Sequence, residues 1–273
     1  MKFLEHKMPT PQIQNDPIIN LPSLYKYGLV LSNNASTPNT VLDISSGMCR
    51  DSNNVIDIEL GTANVENESP IPAPLQLNIE INGLNGLDVG TIENTTMYAV
   101  YMIADSRYYK PTGAIMTLAS NDVPLLPFGY DSYRLIGFWP VDGSGHLEAG
   151  FYQGIANDMI FWYAGTDREI LINGNATVQS GVDLSSVIPP LDNTIVTFMT
   201  SFNGAAASQF FQLYAPTNSV ADYFQYCQVA GVLICGQATV VSRLVVGAPT
   251  VNYLVNNAGA ALSMWINSFE VSI

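Results

Sequence analysis

Apolar residues alternate with polar ones along much of this chain, and this period of two most limits what it can fold into. In residues 75–81, Leu75, Leu77, Ile79 and Ile81 fall on one face of an extended strand, and polar side chains fall on the other. A strand with one apolar and one polar face is typical of antiparallel sheets that are solvated on one side.

Other segments extend the pattern through the chain. Residues 97–103 are apolar on both faces, which predicts a central strand. Two later segments predict shared buried faces, formed by Val196, Phe198 and Phe202 in one and by Trp265, Phe269 and Val271 in the other. Because no helical stripe exceeds two turns, we predict an all-β fold of antiparallel, jelly-roll-like β-sandwich domains.

Turn and linker sequences divide the chain. Residues 133–139 and 146–153 flank the sequence Asp-Gly-Ser-Gly at 142–145, which predicts a β-hairpin. The sequence Ala-Gly-Thr-Asp at 164–167 reads as a linker. We therefore predict an arm at residues 1–24, a first β domain at 25–165 and a C-terminal β-sandwich domain at 166–273. One continuous sandwich is the alternative.

The N-terminal segment differs from the rest of the chain. Residues 1–24 contain recurring prolines among Gln, Asn and Asp, without either hydrophobic period, so the segment is expected to be extended. A disordered tail is one interpretation. The other is a docking arm that orders against a neighbouring subunit and buries Ile18, Ile19, Leu21 and Leu24.

The charge balance limits the partners. Nine lysines and arginines stand against 23 aspartates and glutamates, for a formal net charge of -14. Nucleic acids and anionic membranes both require basic patches, so neither is expected as a partner. The apolar runs are shorter than the roughly 18 residues of a membrane-spanning helix, and the N-terminus has no signal-peptide pattern. We expect assembly in a cytoplasm.

The cysteines and histidines form no familiar catalytic or metal motif. Cys49, Cys227 and Cys235 suit neither a disulfide framework nor a zinc site. We expect buried thiols, with a Cys227–Cys235 pair across a hairpin as the alternative. His6 lies in the arm, and His146 follows a glycine-rich turn, where we expect it to be exposed. No cofactor and no metal ion are predicted.

Acidic residues are the remaining candidates for chemistry. Asp57 and Glu59 lie two positions apart on a predicted strand and so share a face, as glycan hydrolysis by paired carboxylates would require. Residues 51–57 hint at a calcium loop but lack its glycine and terminal glutamate. Such coincidences are expected among 23 acidic residues. We interpret them as solvated surface and predict that the protein is not an enzyme.

Aromatic residues in a loop are better candidates for binding. Tyr108 and Tyr109 lie between Arg107 and Lys110, beyond the end of a predicted strand. Tyrosine rings stack on sugars or anchor protein contacts. Together with His146, the two tyrosines form our candidate set for contact with a glycan or a protein. Loop packing between subunits is the alternative.

Several segments, in the same order, resemble phage virion proteins of the tail-fibre and tail-associated kind. The resemblance is carried by residues 28–34, 38–40, 43–47, 50–52, 82–90, 98–106, 126–134 and 136–137, and in the C-terminal part by residues 182–190 and 265–266. These are strand and turn sequences, and none is an enzymatic signature. Within 129–134, the sequence Gly-Tyr-Asp-Ser-Tyr-Arg predicts a turn that enters a strand, with Arg134 paired to Asp131.

The resemblance implies a structural component of a phage particle, located in the virion as a tail fibre or a tail- or collar-associated protein. Such a protein would dock onto other virion proteins through its arm and present its β domains. The resemblance also implies a homo-oligomer, with a trimer favoured. The alternatives are a receptor module that binds host-surface glycan and a head decoration or head-fibre protein.

Overall fold

The computed structural model describes residues 22–61, 74–107, 110–121, 123–154, 157–164, 168–245 and 247–273. This part of the chain contains 21 strands and no helix, so the predicted all-β fold is confirmed. It accordingly has no helix that is long and apolar enough to cross a membrane. Of the predicted docking residues, Ile18, Ile19 and Leu21 lie outside the described residues.

The strands are short in the first half of the chain and longer in the second. In chain order they are β1 Lys26–Gly28, β2 Leu31–Asn33, β3 Val41–Ile44, β4 Gly47–Arg50, β5 Asp57–Leu60, β6 Leu75–Asn78, β7 Gly86–Leu87, β8 Met97–Ala104, β9 Gly113–Leu118, β10 Ser132–Pro140, β11 Gly150–Gln153, β12 Asp158–Tyr163, β13 Arg168–Gly174, β14 Ser180–Asp183, β15 Ile195–Asn203, β16 Gln209–Tyr214, β17 Tyr223–Cys227, β18 Leu233–Val241, β19 Arg243–Val245, β20 Ala248–Val255 and β21 Ala261–Ser272.

The strands form four sheets. Sheet I has the order β1–β4–β5, and sheet II has the order β10–β8–β9–β7. Sheet III has the order β18–β15–β21–β12–β11–β2–β3–β6, and β13 also pairs with β21. Sheet IV has the order β14–β20–β16–β17, and β19 also pairs with β20. Every pairing between these strands is antiparallel except the short pairing of β7 with β9.

Sheet III takes part in two sandwiches. On β11, the Tyr152 hydroxyl donates to the carbonyl oxygen of Phe138 in sheet II (2.6 Å) and accepts from its amide (2.8 Å). On β15, the ring of Phe202 lies 5.2 Å from that of Phe211 in sheet IV. The domain boundary near residue 165 stays a prediction, and sheet III continues across it because β12 pairs with β21.

A cluster of aromatic rings is shared by sheets II and III. Phe161 of β12 is fully buried. Its ring centroid lies 5.0–5.2 Å from those of four other aromatic residues, Trp139, Tyr152, Tyr163 and Phe269. The ring also covers Gly150 so closely that a Cβ there would come within 2.2 Å of it. The cluster therefore joins β10, β11, β12 and β21 through one side chain.

The alternating pattern correctly predicted several strand faces. Leu75, Leu77 and Ile79 are buried, whereas Ile81 is exposed because β6 ends at Asn78 and the chain turns. All of β8 is buried between β10 and β9, as its two apolar faces predict. The buried face of β15 is formed, as expected, by Val196, Phe198 and Phe202.

The predicted common face of Trp265, Phe269 and Val271 is wrong. The register of β21 against β15 slips at Asn267, which has no partner in that ladder. An extra residue in one strand moves the following side chains to the opposite face. As a result, Phe269 and Val271 lie in the core, whereas Trp265 is only partly buried.

The hairpin predicted around residues 142–145 is confirmed only beside the turn, where the amide of Asp142 donates to the carbonyl oxygen of His146 (2.8 Å) and the amide of Glu148 donates to that of Pro140 (3.0 Å). Its extension along both strands is wrong. One bridge joins Val141 to Leu147, and beyond it the chain enters two different sheets. β10 pairs with β8 in sheet II, whereas β11 pairs with β12 and β2 in sheet III. The turn is present, but the apolar residues of the two strands pack face to face across a core.

Replacing Phe161 with Ala tests the central role of this ring. The Phe161→Ala variant should lose about 3–5 kcal/mol of unfolding free energy, because its cavity touches four other rings. Urea unfolding measures the loss. The matched control is Phe151→Ala on the neighbouring strand β11, where the ring is 49% exposed and the loss should be below about 1 kcal/mol. Equal losses in the two variants would contradict the assignment.

Candidate functional site

A cleft of about 350 Å³ lies beside His146, one of the predicted contact residues. The cleft is lined by Thr40, Ile79, Glu80, Asn82, Gly90, Thr91, Ile92, Gly145 and His146. The imidazole is about half exposed, as the sequence predicts for a residue that follows a glycine-rich turn. The lining combines two isoleucines with carboxylate, amide, hydroxyl and imidazole groups, a composition typical of sites for small polar ligands.

Main-chain hydrogen bonds hold the two walls of the cleft together. The amide of Ile79 donates to the carbonyl oxygen of Thr40 (2.9 Å), and the amide of Leu147 donates to that of Asn39 (2.8 Å). The short segment at residues 39–40 thus binds the end of β6 on one side and the His146 turn on the other. Because these contacts are main-chain, side chains at the mouth remain available to a ligand.

Asp142 orders the turn that presents His146. Its Oδ1 accepts from the amides of Ser144 (2.7 Å) and His146 (2.8 Å), and its Oδ2 lies 3.6 Å from Nδ1 of His146. Burial by itself would raise the pKa of Asp142, but the two amide hydrogen bonds and the nearby cationic groups outweigh it and lower the pKa. The carboxylate therefore stays ionised and holds the turn at neutral pH.

Tyr108 and Tyr109 lie outside the described residues, but both ends of their loop are described. Before them, the amide and hydroxyl of Ser106 donate to the carboxylate of Asp131 (2.8 and 2.7 Å). After them, Nζ of Lys110 lies 5.3 Å from the ring centroids of Phe128 and Tyr130. Phe128 is 96% exposed, so an apolar ring and a cation stand together at this surface.

The His146 turn and Ser106, which precedes Tyr108 and Tyr109, lie at opposite ends of β8. Thr95, just before β8, donates its amide to the carbonyl oxygen of Asp142 in the His146 turn (2.8 Å). Ala104, the last residue of β8, accepts from the amide of Asp131 (3.1 Å), whose carboxylate binds Ser106. A strand of eight residues spans roughly 25 Å. His146 and Ser106 therefore belong to separate surfaces.

The base of the predicted arm is tied to the body. Leu24 has a positive φ of 69°, and its side chain is 59% exposed. Its carbonyl oxygen accepts from Nη2 of Arg134 (3.1 Å), and the carbonyl oxygen of Tyr25 accepts from the amide of Arg50 (2.9 Å). The predicted pairing of Arg134 with Asp131 is wrong, because the guanidinium turns inward to the arm base.

Lys26 continues this attachment into the core. Its side chain is buried, and Nζ lies 3.2 Å from the carbonyl oxygen of Ile136 and 2.8 Å from Sδ of Met159. The pKa of Lys26 is lowered to about 8, chiefly by burial. The nearby Cys49 opposes this shift, whereas the positive charge of Arg134 adds to it. Lys26 thereby contacts sheets II and III from sheet I.

The acidic residues considered for catalysis have structural partners. Asp57 forms a salt bridge with Arg50 (2.9 Å). Asp51 accepts from the amides of residues 53, 55 and 56 at 2.6–3.2 Å, so its carboxylate orders its own loop. Glu59 is exposed on the same strand as Asp57. Within the described ranges, no group of three or more His, Cys, Asp or Glu side chains could hold a metal ion.

The three cysteines are free thiols. Cys49 and Cys227 are buried as expected, but Cys235 is exposed. Cys235 follows the alternation of β18, in which residues 233, 235, 237 and 239 face solvent. The expectation of burial is therefore wrong for this residue, because its exposure follows from its place on an edge strand and not from its residue type.

Comparisons with known proteins add no assignment. No protein-family model matches the chain, and no curated protein matches its sequence.

Lys26 makes a pH-dependent contribution to stability. Its folded pKa of about 8 lies below the ordinary value of 10.5, so the unfolded chain binds more protons between these values and the unfolding free energy rises with pH there. Cys49 has a smaller opposite effect, because burial raises its pKa to about 12. From pH 7 to pH 9, the unfolding free energy should therefore rise by about 1 kcal/mol as the net effect of Lys26 and Cys49.

Urea unfolding at pH 7, 8 and 9 measures this contribution. In Lys26→Met the rise should disappear, and the variant should be at least as stable as the wild type at pH 7, because no cation is then buried. Exposed Lys110→Met is the matched control and should keep the rise. A rise of the same size in Lys26→Met would show that another group causes it.

Proposed function

We propose that the protein is a structural component of a phage particle, as a tail fibre or a tail- or collar-associated protein. Residues 1–24 dock it onto other virion proteins, and the two sandwiches are presented away from the attachment point. The observation that carries this proposal is the anchored arm base, where Arg134 binds the carbonyl oxygen of Leu24 and Lys26 enters the core.

Two further observations support the proposal. The segments that resemble virion proteins coincide with strands and turns of the body, as expected for structural sequences. The apolar arm residues Ile18, Ile19 and Leu21 precede the anchored base directly, and Leu24 at the base is exposed. An exposed leucine two residues before β1 is available for a partner that also covers the arm.

Deleting residues 1–21 tests docking without disturbing the anchored base, because Leu24 and Lys26 are kept. Incorporation of the protein into particles, measured by quantitative immunoblotting of purified particles, should fall by about tenfold or more, since each buried aliphatic side chain is worth about 1.5–3 kcal/mol. The combined variant Ile18→Ser, Ile19→Ser and Leu21→Ser should show the same loss.

The matched control replaces exposed aliphatic residues of the body. Ile172→Ser and Val178→Ser remove apolar surface from side chains that are well exposed, and incorporation should stay at the wild-type level. Normal incorporation of the truncated protein would remove the arm from the docking mechanism.

A second candidate function is recognition of host-surface glycan, and the His146 cleft is the observation that favours it. The cleft places imidazole, amide, carboxylate and hydroxyl groups around an apolar floor, which suits hydrogen bonding to one or two sugar units. The sequence predicts His146 as a contact residue, whereas Asn82 and Thr91 are identified as cleft residues only by the fold. Their relevance follows from the chain path around β6 and β7.

Titration calorimetry with purified host envelope polysaccharide tests this second function. His146→Ala and Asn82→Ala should each weaken binding by about three- to tenfold, because each removes a hydrogen-bonding group. Gln76→Ala, an exposed substitution on β6 outside the cleft, is the control and should bind normally. If the two cleft variants bind as tightly as the wild type, the cleft is not the glycan site.

A further inference from the structure

Two edge strands lie together on one side of the C-terminal sandwich. β17 is the last strand of sheet IV, β18 is the last strand of sheet III, and residues 228–232 connect them. Tyr223 and Gln225 of β17 lie over Gly236 of β18, where a Cβ would come within 3.0 Å of the Gln225 side chain. Among the described residues, no strand pairs with the outer side of either strand. We call this surface the β17–β18 edge.

The β17–β18 edge lacks the charges that usually protect an open strand. Between Asn193 and Ser242, Asp222 is the only charged residue in the sequence. Its carboxylate is already hydrogen-bonded within its own chain, because it accepts from the amide of Ala215 and from Nδ2 of Asn218. Proteins commonly place charge or proline on exposed edges to prevent pairing with another chain. Edge strand β5 of sheet I, by contrast, carries the exposed Glu59.

Apolar side chains are exposed next to this edge, on the outer face of sheet IV, in the segments before and after β17 and at the start of β18. They are Val220, Phe224, Tyr226, Val229, Val232 and Leu233. The ring of Phe224 lies 5.0 Å from that of Phe210 and 6.3 Å from that of Tyr226, so part of this surface is a row of mutually packed rings. A row whose rings are held by one another loses little conformational entropy when it is covered.

The charge of the chain indicates what covers this edge. Each copy carries a formal net charge of -14, so two copies repel each other through most of their surfaces. The β17–β18 edge is a place where two copies can approach without opposing carboxylates. Main-chain hydrogen bonding between edge strands also requires no side-chain complementarity, so the same edge can pair with itself.

We propose that the β17–β18 edge is the contact between copies of this chain. The edges of two copies meet, so that β18 of one copy adds to sheet III of the other. This interface is independent of the arm and of membership in a particle. It deepens the proposed function by naming the surface through which the homo-oligomer forms.

Charged substitutions on the edge test the proposal in the full-length protein. Sedimentation velocity should find the wild type as an oligomer, and Leu233→Lys and Gln237→Lys at exposed positions of β18 should each raise the dissociation constant by about tenfold or more, because lysines on an edge strand oppose its pairing with another chain. Val178→Lys, an exposed position beside the opposite edge strand β14, should leave association unchanged. A monomeric wild type, or edge variants that associate normally, would overturn the proposal.

Thiol cross-linking of the unmutated edge covers the case in which a lysine variant fails to fold. Cys235 of β18 is exposed, whereas Cys49 and Cys227 are buried, so a short bismaleimide should react at Cys235 and join two copies. Cys235→Ser should abolish the product. Absence of the cross-link in an oligomeric sample would place the contact elsewhere and reject the edge.

Salt dependence and the arm deletion distinguish this interface from one built on ion pairs or on the arm. Added salt screens the repulsion between two acidic copies, so association through an uncharged edge should strengthen with salt, whereas an interface built on ion pairs would weaken. Deletion of residues 1–21 should leave the oligomer intact. If the deletion dissociates the oligomer into monomers, the arm occupies the edge and the proposal fails. This conclusion does not depend on the result of the particle-docking experiment.

Discussion

The packing of four aromatic rings around Phe161 is the interaction on which the rest of the structure depends. Phe161 lies on β12, and its stacked neighbour Phe269 lies on β21, the long strand that carries β15 along one side and β12 and β13 along the other. Through its pairing with β15, β21 connects this aromatic cluster to the part of sheet III that packs on sheet IV. Both the cleft beside β6 and the open edge at β18 are positioned by sheet III.

The surface of the protein is divided by charge. The first half carries its ionisable groups in structural roles, such as Asp142 in the His146 turn, Arg134 at the arm base and Lys26 in the core. The C-terminal sandwich has an almost uncharged edge with exposed rings. Acidic surfaces repel one another, and this edge lacks the charge that would repel a second strand.

Much of the fold was predictable because the alternation of apolar and polar residues indicates which side chains are buried. Leu75, Leu77 and the whole of β8 were predicted correctly on this basis. The face of Trp265 was not, because the bulge at Asn267 depends on pairing with β15, about 70 residues earlier in the sequence. For the candidate site, His146 was found through its turn, but its cleft partners come from segments that only the fold brings near it.

The sequence by itself determined that the chain forms strands, which residues lie in most strand cores, and that the protein carries a strong negative charge. These properties follow from local periodicity and composition, which act between neighbours in the chain. Only the tertiary structure decided which strands lie at the edges of the sheets, where the arm base is attached and which segments line the cleft beside His146. Such properties depend on hydrogen bonds and packing between distant segments, and no local pattern encodes them.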